Sequence, residues 1–125
     1  MSGRMIPEEL EKCIQQEIKN KNICMLINAT MGTTVEGNID PINEIGKISK
    51  RYNIWYHVDA ALGGALIFSP TLMSERNFDF SQVDSITIDP HKGLLVPLQT
   101  SLFLVQQKSI LFQANNTHAD YLFHK

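Results

Sequence analysis

The sequence is poor in the features that mark specialised classes of chain. It has only two cysteines, Cys13 on a helical pattern and Cys24 in an apolar strand, and both are expected to be small buried hydrophobes rather than a disulfide or metal pair. Positive charge is not in excess: 11 Lys and Arg against 13 Asp and Glu give a formal net charge of -2, which offers no electrostatic basis for binding nucleic acid or an anionic membrane. No apolar run approaches the roughly 20 residues that span a bilayer, and Met1 to Met5 lacks the charged and apolar regions of a signal peptide, so a cytoplasmic setting is expected. Repeats and low-complexity linkers are missing, and neither G-x-G-x-x-G nor P-loop spacing occurs. What is present is ordinary globular material, with 43% hydrophobic and 19% charged residues over 125 positions, enough for one core.

The pattern along the chain alternates helix and strand. Pro7 at a first helical position, Glu8 and Glu9 in the first turn, and Leu10, Ile14 and Ile18 on one face predict an amphipathic helix ending near Asn20 to Asn22. The apolar run Ile23 to Ala29 predicts a strand buried on both faces, as in a parallel sheet. Asp40 as N-cap and Pro41 at N1 open a second helix carrying Ile42, Ile45, Ile48 and Tyr52, and Asn53 breaks it. Lys47, Lys50 and Arg51 read as its solvated end. A strand over Ile54 to Val58 follows at once, making a βαβ unit with two parallel strands. Further strands are predicted at Ser85 to Ile88 and Ser101 to Val105, separated by a segment that Pro90, Gly93 and Pro97 keep irregular. A short helix is expected within Phe68 to Phe80 and another within Ser109 to Phe123, and Trp55 and Phe103 are expected in the core. The fold class is α/β. The chain opens on a helix start and stops at His124-Lys125 without a terminating signal, so a fragment of a larger domain is expected.

Ligands of parallel sheets bind beyond the carboxyl ends of the strands, where loops present unpaired N–H groups and side chains. Here those ends deliver Thr30 to Thr34, Asp59, and Asp89 to Lys92: hydroxyls, a carboxylate and an amine on one edge. Asp59 stands between an apolar strand and the small residues Ala60-Ala61-Leu62-Gly63-Gly64, which leave room for a flat ligand. Such a carboxylate either caps a turn through backbone donors or meets a cation such as a protonated pyridine nitrogen. Lys92 alone would be a solvated surface lysine; in a partly desolvated pocket it is a nucleophile toward an aldehyde. A metal hydrolase is the rival, since His57-x-Asp59 and Asp89-x-His91 each place two ligand types near a strand end.

Four ordered stretches carry a resemblance: Gly3-Arg4-Met5-Ile6-Pro7, Ala29-Thr30-Met31-Gly32-Thr33-Thr34-Val35-Glu36-Gly37, Ile54-Trp55-Tyr56-His57-Val58-Asp59-Ala60-Ala61 and Pro90-His91-Lys92. Together they resemble the group II pyridoxal-phosphate-dependent amino-acid decarboxylases, and within them the glutamate and cysteine sulfinate decarboxylases. Val96-Pro97-Leu98-Gln99-Thr100-Ser101 and His118-Ala119-Asp120-Tyr121-Leu122-Phe123 tilt the match toward the branch acting on acidic substrates. The resemblance implies the central part of a fold type I large domain, with a mostly parallel sheet and flanking helices. It implies pyridoxal 5′-phosphate held as a Schiff base on Lys92, with Asp59 paired to the pyridine nitrogen, Ala61 packed on one face of the ring, and His91 near the ring or phosphate. Thr34 matches a position contacting the cofactor region, and Asp89 stands where many relatives have Asn, replacing a neutral donor and acceptor by a pure acceptor. Other parts of such enzymes would lie outside this chain: the phosphate-binding residues, a ring-stacking His, a mobile loop with a Tyr and a C-terminal small domain. The resemblance further implies a small-molecule amino-acid substrate, left open among glutamate, cysteine sulfinate and aspartate, and a homodimer as the whole enzyme. The alternative is a catalytically silent truncated chain or pseudoenzyme that acts only by binding a partner.

Overall fold

A computed structural model describes residues 3–116. In chain order the elements are α1 (Pro7–Lys19), β1 (Leu26–Thr30), α2 (Ile42–Tyr52), β2 (Trp55–Asp59), a 3-10 turn (Gly63–Phe68), α3 (Pro70–Arg76), β3 (Ser85–Ile88), the one-turn α4 (Pro90–Gly93), β4 (Leu102–Val105) and α5 (Ile110–Asn115), with a second 3-10 turn at Phe80–Gln82. The strands form one sheet in the order β1-β2-β3-β4, parallel except for β4, which runs antiparallel to β3. The βαβ reading holds, with β1 and β2 parallel in the register Thr30 to Asp59.

Helices cover one face of this sheet. Ile27 and Ala29 of β1, Tyr56 and Val58 of β2, and Ile88 of β3 meet Ile14 of α1 and Ile42, Ile45 and Ile48 of α2. Each fully buried aliphatic or aromatic side chain contributes about 1.5–3 kcal/mol, so this single layer supplies most of the stabilisation. Tyr56 reaches the core with its hydroxyl donating to the Ile42 carbonyl at 3.1 Å, and burial pushes its phenol pKa up. The opposite face is uncovered among the described residues. β1 is therefore not buried on both faces: it alternates exposed and buried, and Ile23, Met25 and Leu26 lie open. Trp55 and Phe103 sit on that open face rather than in the core, Phe103 being about half exposed.

Other expectations are corrected by local geometry. Asp40 does not cap α2, whose N-cap is Pro41 without a side-chain bond. Its carboxylate instead accepts from the Met5 N–H at 2.7 Å and the Thr30 N–H at 2.8 Å, tying the N-terminal segment to the end of β1. Asn53 does end α2, in the left-handed conformation at φ 52°. Of the three basic residues at that end, Lys50 pairs with Asp84 at 2.6 Å and Arg51 with Glu11, so only Lys47 is a free solvated charge in this group among the described residues. Cys13 is exposed, because it falls on the outer face of α1. The segment after β3 is not irregular throughout: Pro90 sits at N1, where a missing N–H costs nothing, and starts a helical turn. The helix in Phe68 to Phe80 is α3; of Ser109 to Phe123, Ile110–Asn115 is helical and residues 117–123 lie outside the described residues.

The turn after β2 is pressed against the end of β1. The Gly63 N–H donates to the Met31 carbonyl at 3.0 Å, and a Cβ on Gly63 would lie 2.2 Å from that oxygen. At Gly37, φ is 65° but nothing lies within 4 Å. Gly37→Ala should therefore cost only backbone strain, about 1–2 kcal/mol. Gly63→Ala carries no such strain but drives a Cβ into the Met31 carbonyl, a clash with backbone that cannot swing aside, and should lower the thermal midpoint substantially more in parallel melts.

Candidate functional site

Three strand ends converge on one edge of the sheet, and backbone hydrogen bonds stitch the segments beyond them. The Met31 N–H donates to the Asp59 carbonyl at 2.8 Å, the Ala60 N–H to the Thr87 carbonyl at 3.0 Å, and the Asp89 N–H to the Ala61 carbonyl at 3.2 Å. Asp59 is the last residue of β2 and is half-buried on the uncovered face. Its Oδ1 accepts from the Ala61 N–H at 3.1 Å, while Oδ2 has no protein partner among the described residues and stays open to a ligand. The two readings of this carboxylate thus coexist: it caps its own turn with one oxygen and keeps the other available.

Lys92 lies in α4, with its Nζ 2.8 Å from Asp89 Oδ2 and its side chain 42% exposed. The other Asp89 oxygen accepts from the Ser101 hydroxyl at 2.6 Å. Gly93 explains how α4 comes so close to the turn after Asp59: a Cβ there would meet Ala65 Cβ at 2.6 Å and the Leu62 carbonyl at 2.9 Å. His91 fastens α4 to the start of β4, its Nδ1 lying 2.8 Å from the Thr100 carbonyl and 3.2 Å from the Thr100 N–H, one of which it serves according to its tautomer.

Of the six residues singled out in the sequence, Asp59, Ala61, Asp89, His91 and Lys92 fall on the two segments joined by the bond from Asp89 N–H to the Ala61 carbonyl. Thr34 lies exposed on the turn after β1, where Thr33 rather than Thr34 anchors the loop by accepting from the Asn38 N–H at 3.0 Å. Sequence reasoning missed Thr100 and Ser101, whose place beside α4 depends on the antiparallel return of β4. It also missed Gly93, although a glycine directly after a reactive lysine is a signal of close packing. The metal-site reading loses its ligands: both ring nitrogens of His57 are engaged by Ser85 at 2.8 Å and Thr87 at 3.3 Å, and no cluster of three His, Cys, Asp or Glu side chains suited to a metal ion occurs among the described residues.

A carboxylate oxygen left open beside small residues, with a primary amine on the adjoining turn, is a donor set that suits a pyridine aldehyde. The carboxylate matches the ring nitrogen and the amine matches the aldehyde carbon. An α/β sheet with such a pair at its carboxyl edge is compatible with a pyridoxal cofactor anchored on a lysine. The chain matches the pyridoxal-dependent decarboxylase conserved domain over residues 1–125, and it belongs to that family. Mouse CSAD, a cysteine sulfinic acid decarboxylase, is similar in its apo form with 35% identity and a TM-score of 0.86, over 99% of this chain and 26% of that one. Oryza sativa TDC with PLP and tryptamine matches with 27% identity and a TM-score of 0.87, over 97% of this chain and 24% of that one. The glutamate decarboxylase domain of a Vibrio parahaemolyticus diaminobutyrate-pyruvate transaminase and L-2,4-diaminobutyrate decarboxylase matches with 33% identity and a TM-score of 0.79, over 86% and 23%. The chain thus spans about a quarter of the length of these solved relatives, and its sheet has the fold of their pyridoxal-phosphate domains.

Asp89 also carries a pH dependence. The hydrogen bond to Lys92, and after it the one from Ser101, hold its pKa below the ordinary carboxylate value. Its contribution to stability is therefore complete above a pH of about 4 and is lost as pH falls through the lowered folded value. The difference in thermal midpoint between wild type and Asp89→Asn should narrow steadily on acidification across that window; a difference independent of pH would show that the ion pair contributes nothing.

Proposed function

We propose that this chain is the cofactor-anchoring central part of an enzyme that decarboxylates an amino acid, with Lys92 as the attachment point of pyridoxal phosphate. The observation that carries the reading is the backbone junction of the Asp59 and Lys92 segments, which brings a carboxylate with one unpartnered oxygen and a primary amine onto two adjoining turns at the same edge of the sheet. Bound pyridoxal phosphate supplies an electron sink for the bond to the departing carboxylate. The protein's own part is positional. Asp59, braced by the Ala61 N–H, offers its free oxygen to the ring nitrogen, and the small side chain of Ala61 leaves space for a flat ring. Asp89 gives the Lys92 ammonium a resting partner at 2.8 Å whenever the amine is not joined to the cofactor. His91 holds the lysine turn against β4, and Thr34 would contact the cofactor from the loop after β1.

We infer an acidic amino acid as substrate, supported by the stretch Val96 to Ser101 and by the higher identity to mouse CSAD, 35%, than to the Oryza sativa TDC, 27%. The second sequence feature favouring this branch, His118 to Phe123, lies outside the described residues. The enzyme would work as a homodimer in the cytoplasm; no helix among the described residues is long and apolar enough to cross a membrane. The 125 residues by themselves would be inactive, since the chain spans about a quarter of its solved relatives, and decarboxylation by the isolated chain would overturn that part.

Reduction of the complete enzyme with borohydride in the presence of pyridoxal phosphate should fix the label on Lys92, and label on another lysine would overturn the assignment. Lys92→Ala should abolish turnover of glutamate, cysteine sulfinate and aspartate alike while some noncovalent cofactor binding survives. Asp59→Ala should weaken cofactor retention and slow turnover together. Turnover of tryptophan in preference to all three acidic amino acids would overturn the substrate class.

A further inference from the structure

Asp89 stands at the N-cap of α4, and aspartate is among the residues that best cap a helix with their side chain. Its carboxylate does not do so: no side-chain cap bond is made there. Both oxygens are turned elsewhere. Oδ2 lies 2.8 Å from Lys92 Nζ, and Oδ1 accepts from the Ser101 hydroxyl at 2.6 Å. Asp89 is 9% exposed, whereas the Lys92 side chain is 42% exposed. The carboxylate is therefore the fixed partner, and the lysine is the one that can leave.

Ser101 reaches this carboxylate because of the strand register. Ile88 and Leu102 pair across the antiparallel β3 and β4, so Asp89, next after Ile88, and Ser101, next before Leu102, meet just beyond the sheet. The main chain of Asp89 is held as well, its N–H donating to the Ala61 carbonyl and its carbonyl accepting from the Lys92 N–H at 2.9 Å. With the backbone tied and Oδ1 taken by Ser101, Oδ2 is left facing Nζ. The bond to Lys92, and after it the one from Ser101, lower the Asp89 pKa, which keeps the carboxylate charged. An ordinary i, i+3 pair on a helix surface has neither this burial nor the second clamp.

We propose that Asp89 is a berth for the released Lys92 ammonium and that Ser101 is its positioning residue, the two together favouring the detached lysine over the cofactor-bound one. This inference rests on the reading of Lys92 as the cofactor lysine. An ammonium offers the carboxylate three N–H donors, whereas a nitrogen joined to the aldehyde carbon keeps at most one. The pair is thus strongest when Lys92 is free. When the amine of an amino acid takes over the aldehyde carbon, its bond to carbon forms as the bond to Nζ breaks, and the electron pair of the broken bond stays on Nζ. The protons that the incoming ammonium gives up end on Nζ, so Lys92 leaves as the cation that Asp89 receives. The berth eases this exchange and, by the same stabilisation, lowers the affinity for the cofactor.

The test is the affinity for pyridoxal phosphate, measured by equilibrium binding to the complete apoenzyme. Removing a residue that merely supports the site weakens binding, whereas removing a berth tightens it. Asp89→Asn should tighten binding about threefold, as expected for one partly exposed ion pair. Ser101→Ala should tighten it about twofold and add nothing in the Asp89→Asn background, while Ser101→Thr, which keeps the hydroxyl, should bind as wild type. In a Lys92→Ala background none of these changes should move the remaining noncovalent affinity. Weaker or unchanged binding in Asp89→Asn, or a tightening that persists without Lys92, would overturn the inference. If Asp89→Asn fails to fold, Ser101→Ala with and without Lys92 decides alone. Borohydride label on a lysine other than Lys92 would instead sink the underlying reading of the site.

Discussion

The peptide group of Ala61 is where the two halves of the candidate site are held together. Its N–H braces the Asp59 carboxylate at 3.1 Å and its carbonyl accepts from the Asp89 N–H at 3.2 Å. Two chemically opposite groups, a carboxylate at the end of β2 and an amine on the turn after β3, are thereby fixed to one short stretch of backbone. Everything nearby respects that closeness: Gly63 lies against the Met31 carbonyl, Gly64 against Ile88, and Gly93 against Ala65. These glycines leave no room for a Cβ, so the junction is a constraint on backbone approach more than on side-chain chemistry.

Much of this organisation was legible from residue order alone. Periodicity in Leu10, Ile14 and Ile18, and in Ile42, Ile45 and Ile48, marks two amphipathic helices, and the apolar runs between them mark parallel strands. The placement of Asp59 and Lys92 at one edge was legible because both follow predicted strands of a parallel sheet. What escaped the sequence depends on which elements become neighbours in space. The run Ile23 to Ala29 reads as doubly buried, yet helices cover only one side of β1 among the described residues. Asp40 carries the pattern of a helix cap, yet its two oxygens are taken by Met5 and Thr30, and nothing local in the sequence distinguishes the outcomes. Ser101 joins the site only because β4 turns back along β3.

The two faces of the sheet divide the work. The helix-covered face carries Ile27, Tyr56, Val58 and Ile88 and supplies stability. The other carries Trp55, His57, Asp59, Ser85, Thr87 and Phe103, side chains that exchange directional hydrogen bonds and ring contacts. Alternation with a period of two puts both sets on the same strands, so a one-residue slip in register would exchange core for site. Register in β2 is therefore fixed from both sides at once.

β1 stands at the edge of the sheet among the described residues, with Leu26, Met25 and Ile23 exposed at 57%, 77% and 87%. A strand so placed offers a row of unpaired amides and carbonyls beside greasy side chains, which is a template for another strand. Handled by itself, this stretch of protein would be governed less by how firmly it folds than by how concentrated it is, because pairing between copies along that border competes with staying single.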